Sequence, residues 1–157
     1  MEKIASFQVD HTKLEKGLYV SRIDSLNGAV ATTFDIRMKK PNQGDYLSTA
    51  SLHTIEHIGA TYFRNLKEFK DSIIYFGPMG CRTGFYLVLF GERSPSEIAP
   101  AVAGMFSFIA SFEGDIPGAS EIECGNWKDQ DLKGAKQEAK AYLGVLWALA
   151  EKAERSD

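Results

Sequence analysis

Only two cysteines, Cys81 and Cys124, occur among the 157 residues, which excludes a small secreted scaffold stapled by disulfides. In a reducing compartment a separated pair of thiols points instead to catalysis or metal binding. Long apolar runs are also missing: the longest stretch without Asp, Glu, Lys or Arg is the fifteen residues Ile98–Phe112. A bilayer span needs about 20, so no transmembrane helix is expected. The N-terminal Met1-Glu2-Lys3-Ile4-Ala5-Ser6 has no apolar signal core and the last residues carry no sorting motif, so a cytoplasmic protein is expected. No block of like charge occurs; 18 Lys and Arg against 21 Asp and Glu give a net charge of -3, which disfavours a nucleic-acid partner. Dinucleotide fingerprints, phosphate loops, internal repeats and low-complexity tracts are absent as well.

What remains is an ordinary globular composition, 44% apolar and 25% charged. One domain spanning 1–157 is expected. A chain of this size buries about 70% of its unfolded surface and needs no structural metal, so a bound metal is expected to be functional.

Two strand-like runs, Leu18–Leu26 and Val30–Met38, flank Asn27-Gly28, the dipeptide best suited to the positive φ angles of a two-residue hairpin turn. Within the second run Arg37 alternates onto the face opposite Phe34 and Ile36, which would leave its guanidinium available to a ligand or partner. Helical spacing of Leu52, Ile55, Ile58, Gly59, Tyr62, Phe63 and Leu66 predicts a first long helix from Ser48 to about Leu66. Ser72–Gly77 and Gly84–Gly91 read as strands, with Cys81 on their connection. A second helix opens on the capping box Ser94-Pro95-Ser96-Glu97 and runs to about Phe112, and a third spans Leu132 to Glu154, expected to cover the sheet. Strand and helix do not alternate as in a doubly wound sheet. The fold class is therefore α+β: an antiparallel sheet with helices packed on one face.

The informative string is His53-Thr54-Ile55-Glu56-His57, the pattern H-x-x-E-H. On a helix the two imidazoles lie one turn apart with a carboxylate beside them, and a metal can bridge such a pair. At about 100° per residue the ligands fall near 0° and 40°, whereas the apolar stripe centres near 220°. The histidines must face a cleft, solvent or another subunit. Cys124, in Glu123-Cys124-Gly125-Asn126, is the natural third ligand, since a thiolate beside two histidines suits zinc, ferrous iron or cobalt with one position open. A buried, inert Cys124 is the plainer alternative. Cys81, in Gly80-Cys81-Arg82-Thr83-Gly84, reads as a reactive thiol whose anion Arg82 would favour. It could equally be a small apolar filler, or complete a structural site of two cysteines and two histidines. H-x-x-E-H is also the signature of inverted-motif metalloproteases, with Glu56 as base and Glu121 or Glu123 as third ligand.

Taken together, Ser6-Phe7, Asp10-His11-Thr12-Lys13, Phe34-Asp35-Ile36-Arg37, Ser51 through His57, Gly77 through Tyr86 and Cys124-Gly125-Asn126 occur in the order that marks one family. In these landmarks the chain resembles the S-ribosylhomocysteine lyases, the LuxS or autoinducer-2 synthesis proteins, nearly end to end. Met38-Lys39-Lys40 lacks a cysteine common there, and Trp127 replaces the usual tyrosine or another aromatic.

The resemblance implies a cytoplasmic homodimer with its active sites at the subunit interface. It implies a metal on His53, His57 and Cys124, natively iron (Fe2+) and replaceable by zinc or cobalt, with Cys81 and Glu56 as acid/base groups. Ser6, His11 and Arg37 are implied to reach the substrate across that interface. The implied reaction turns S-ribosylhomocysteine into homocysteine and 4,5-dihydroxy-2,3-pentanedione, the precursor of autoinducer-2 in quorum sensing and a step in methyl-cycle recycling.

Overall fold

The structure, a computed structural model, describes residue 2 and residues 4–155; the side chains of residues 5, 6, 153 and 154 lie outside that description. A single helical turn, α1 (Ala5–Gln8), precedes the sheet. Strands β1 (Gly17–Leu26) and β2 (Ala29–Arg37) pair antiparallel, with Leu26 opposite Ala29. Between them Asn27 and Gly28 take φ 52° and 83°, the left-handed pair that the expected two-residue turn requires.

Helix α2 (Thr49–Asn65) begins where Ser48 accepts a hydrogen bond from the Ser51 amide. Strands β3 (Ile73–Pro78) and β4 (Gly84–Phe90) form a second antiparallel pair. Crossing over through α2 sets β4, not β3, beside β2, giving the order β1-β2-β4-β3. Helix α3 (Pro95–Ser111) has the reciprocal Ser94–Glu97 capping box, and α4 (Leu132–Glu154) closes the fold.

One face of the sheet carries the core. Phe34 and Ile36 of β2, Phe85 and Leu87 of β4, and Phe76 of β3 are buried with Ile55 and Ile58 of α2 and Val102, Met105 and Phe106 of α3. Gly59 permits this close approach, because a Cβ there would stand 2.6 Å from the Phe76 ring and 2.7 Å from Met105 Sδ. Helix α4 lies chiefly along α3 and α2 rather than over the sheet, which it meets at β1, where the Tyr142 hydroxyl donates to the Gly17 carbonyl at 2.7 Å. The other face of the sheet is open, with Tyr75 and Phe90 exposed on it. The architecture is the α+β layer expected, with the helices on one face. Residues 112–131, between α3 and α4, hold neither helix nor strand and run as turns.

Candidate metal centre

Helix α2 turns its apolar stripe to the sheet, so His53 and His57 sit on its opposite side, as the helical wheel requires. There they meet neither open solvent nor a broad cleft but the irregular segment 112–131, and both are half-buried. His53 Nδ1 lies 2.9 Å from the Asp129 carbonyl and His57 Nδ1 lies 2.7 Å from the Pro117 carbonyl. A carbonyl only accepts, so each Nδ1 carries the ring proton and each Nε2 presents a lone pair. The Gln130 amide nitrogen, 3.2 Å from His53 Nδ1, packs on the same edge without displacing that bond.

The two Nε2 atoms face each other at 2.9 Å, and Cys124 Sγ stands 3.5 Å from that of His53. Facing lone pairs repel unless a cation lies among them. Metal–nitrogen and metal–sulfur bonds near 2.0 and 2.3 Å set tetrahedral ligands roughly 3.3–3.6 Å apart. The sulfur–nitrogen spacing matches, and the nitrogen pair sits a few tenths of an ångström closer. Two imidazoles and a thiol within 4.8 Å of one another therefore fit a divalent metal ion.

Among the described residues no fourth side chain joins this group, so the structural site of two cysteines and two histidines falls. The metalloprotease ligand set falls with it, since Cys124 takes the third position and the Glu123 carboxylate accepts from Ser120 Oγ at 2.5 Å. Glu56, between the two histidines, is half-buried, and among the described residues no hydrogen bond or ion pair engages its carboxylate. The Tyr75 phenol is held above its ordinary range by burial and, less strongly, by the Glu56 charge.

A second cluster forms at the end of β2. Arg37 lies on the face that alternation predicts, yet it is only 2% exposed and its donors are engaged. Nε and one terminal nitrogen bond the Asp35 carboxylate at 3.1 and 2.5 Å, and the other donates to Thr83 Oγ1 at 2.6 Å. The expectation of a free guanidinium therefore fails within a single chain: alternation assigns a face but says nothing of what covers it. Burial pushes the Asp35 carboxyl above its ordinary range despite the paired Arg37. His11, its Nδ1 2.8 Å from the Val9 carbonyl, contributes charge to the same carboxylate.

Cys81 is exposed on the β3–β4 connection and lies 3.0 Å from Thr83 Oγ1. Arg82, at φ 59°, donates to the Leu47 carbonyl 3.3 Å away and lies over the Tyr46 ring. The Ser6 side chain lies outside the described residues. Among those described, no hydrogen bond or ion pair joins the two clusters.

Thr54 was not singled out by sequence reasoning, yet it ties the metal-site segment to α2. Fully buried, it donates to the Gln130 amide oxygen at 2.7 Å and accepts from the Asp131 amide at 2.9 Å. Nothing in a helical pattern marks it, and backbone carbonyl partners leave no residue signature at all.

Comparison with known proteins gives a consistent picture. The family model described as S-ribosylhomocysteinase (LuxS) matches residues 4–152. An S-ribosylhomocysteine lyase of Desulfotalea psychrophila is 56% identical over 153 residues, 97% of this chain and 96% of the relative. Proteins of the same name from Clostridium beijerinckii and Borreliella burgdorferi are 50% identical over 153 residues (97% and 96% of the two chains) and 51% identical over 146 (93% of each).

Proposed function

The chain belongs to the S-ribosylhomocysteinase (LuxS) family, and on that premise we propose that it cleaves S-ribosylhomocysteine to homocysteine and 4,5-dihydroxy-2,3-pentanedione. The observation that carries the reading is the convergence of His53, His57 and Cys124. A divalent ion held by these three residues, ferrous iron in our reading and replaceable by zinc or cobalt, supplies Lewis-acid stabilisation of negative charge developing on the sugar oxygens.

The remaining work is proton transfer by side chains. In the open-chain sugar a base removes the C2 proton and returns it to C1, moving the carbonyl from C1 to C2; repetition at C3 and C2 moves it to C3. Removal of the C4 proton then expels the homocysteine thiolate from C5, β to the new ketone, and tautomerisation gives the dione. Cys81, accessible on its turn, is the carbon base, and Glu56 shuttles protons between oxygens and assists loss of the thiolate. Ser6, His11 and Arg37 hold the substrate. Arg37 acts from its bond network rather than as a free cation.

The functional unit in this reading is a cytoplasmic homodimer. The sheet face without helices, bearing Tyr75, Phe90 and the Arg37–Cys81 cluster, supplies a self-association surface that brings one chain's second cluster to its partner's metal ligands. A reducing compartment keeps both cysteines free for their roles. Among the described residues no helix is long and apolar enough to cross a membrane.

The test is thiol release from S-ribosylhomocysteine by anaerobically purified, metal-loaded protein, with Cys81→Ala as control. Release by the wild-type protein alone supports the reading, with metal retained in the variant. No release from folded, metallated dimer overturns it.

A further inference from the structure

Thr83 Oγ1 is the joint between Arg37 and Cys81, and the direction of its bond to Arg37 is fixed. The guanidinium has donors only, so at 2.6 Å the Thr83 oxygen must accept from it. Its single hydroxyl hydrogen is not used in that bond, and Cys81 Sγ lies within reach of it at 3.0 Å. Water does not compete freely for that hydrogen, because Thr83 is 2% exposed. The backbone fixes the arrangement as well: the Thr83 carbonyl accepts from the amides of Met38 and Lys39 at 2.9 and 2.8 Å, locking the turn to the end of β2. Asp35 in turn grips Arg37 with both carboxylate oxygens, so the guanidinium cannot swing away to release Thr83.

We propose that Thr83 is a positioning residue for Cys81: Arg37 compels its oxygen to accept, and its hydroxyl hydrogen is donated to Sγ, orienting the sulfur and favouring its anionic form. A thiolate accepts such a bond more strongly than a thiol does. Positive charge thus reaches Cys81 through Thr83 from Arg37, 46 residues earlier in the chain than Thr83. The inference deepens the reading of Cys81 as the carbon base and rests on it.

The experiment is alkylation of Cys81 by iodoacetamide in the metal-loaded protein, followed by mass spectrometry across a pH series and without substrate. Thr83→Val keeps the shape and removes the donor; Thr83→Ser keeps the donor. At neutral pH the valine variant is expected to alkylate about tenfold more slowly than wild type, a hydrogen bond to a charged group being lost. The serine variant is expected to stay near wild type, and all three rates to converge in alkaline solution, where the thiol ionises unaided. Equal rates for wild type and valine variant at neutral pH overturn the inference, as does an equal slowing of the valine variant at every pH, which would mean altered access. Should the valine variant fail to fold, Thr83→Ala takes its place with the same expected slowing at neutral pH, and a rate equal to wild type there overturns the inference. Because alkylation needs no turnover, its outcome is separable from a failure of the lyase reading, which would show as no thiol release by the wild-type protein.

Discussion

Gly118 lies against the Nδ1 edge of His57, so close that a Cβ on residue 118 would stand 3.2 Å from that nitrogen. Its φ of 68° is one that side chains rarely adopt, and the preceding Pro117 carbonyl is the acceptor that orients the ring. Gly118→Ala is therefore expected to cost about 1–2 kcal/mol in backbone strain and to tilt the imidazole. Metal affinity should fall about 10- to 100-fold, as when an orienting partner is lost. Competition against a chelator measures this, and unchanged affinity would refute the orienting role.

Thr54→Val removes the hydroxyl that both donates to Gln130 and accepts from the Asp131 amide. Two buried groups lose their partner, a loss of about 1–3 kcal/mol. The Asp129 carbonyl on His53 belongs to the same tethered stretch, so metal affinity should drop about tenfold with it. Urea unfolding and metal titration of the same variant check both parts; a variant as stable as wild type contradicts the assignment.

Cys124→Ala is expected to abolish stoichiometric metal binding yet leave the core intact. The apolar cluster between sheet and helices includes none of the three ligands, so the metal-free variant should unfold within about 0.5 kcal/mol of metal-free wild type. Added metal should raise the melting temperature of wild type and not of the variant. Collapse of the helical circular dichroism in the variant would show instead that the ion holds the fold.

Tyr142 gives a pH prediction. Burial, with a smaller contribution from the Asp35 charge, pushes its phenol far above the ordinary 10.0. An unfolded tyrosine ionises near 10.0 while the folded one stays protonated, so this group's contribution is complete below that pH and declines above it. The decline approaches about 1.4 kcal/mol per pH unit. Tyr142→Phe should lose about 1 kcal/mol at neutral pH, with the Gly17 carbonyl left without its donor, and show a shallower alkaline fall. Identical alkaline slopes in urea unfolding would refute it.

Local patterns made much of this molecule legible. Asn27-Gly28 announces the hairpin, the Ser94–Glu97 box announces α3, and H-x-x-E-H on a helix announces two of the three ligands. Alternation also places Arg37 on the correct face. What alternation and periodicity do not carry is the identity of the neighbour on that face. The burial of Arg37 depends on Asp35 beside it and Thr83 across a strand junction, and the strand order depends on where the α2 crossover lands. The carbonyls of Pro117 and Asp129 are chemically the same in every residue type, so only three dimensions reveal them.

The segment 112–131 is held to α2 by polar bonds and keyed into the core by Phe112 and Ile116, which pack against it. The acceptors on both imidazoles are thus carried by a stretch that is itself wedged into the core, so a loss of packing at Ile116 would be felt as a tilt of the candidate ligands.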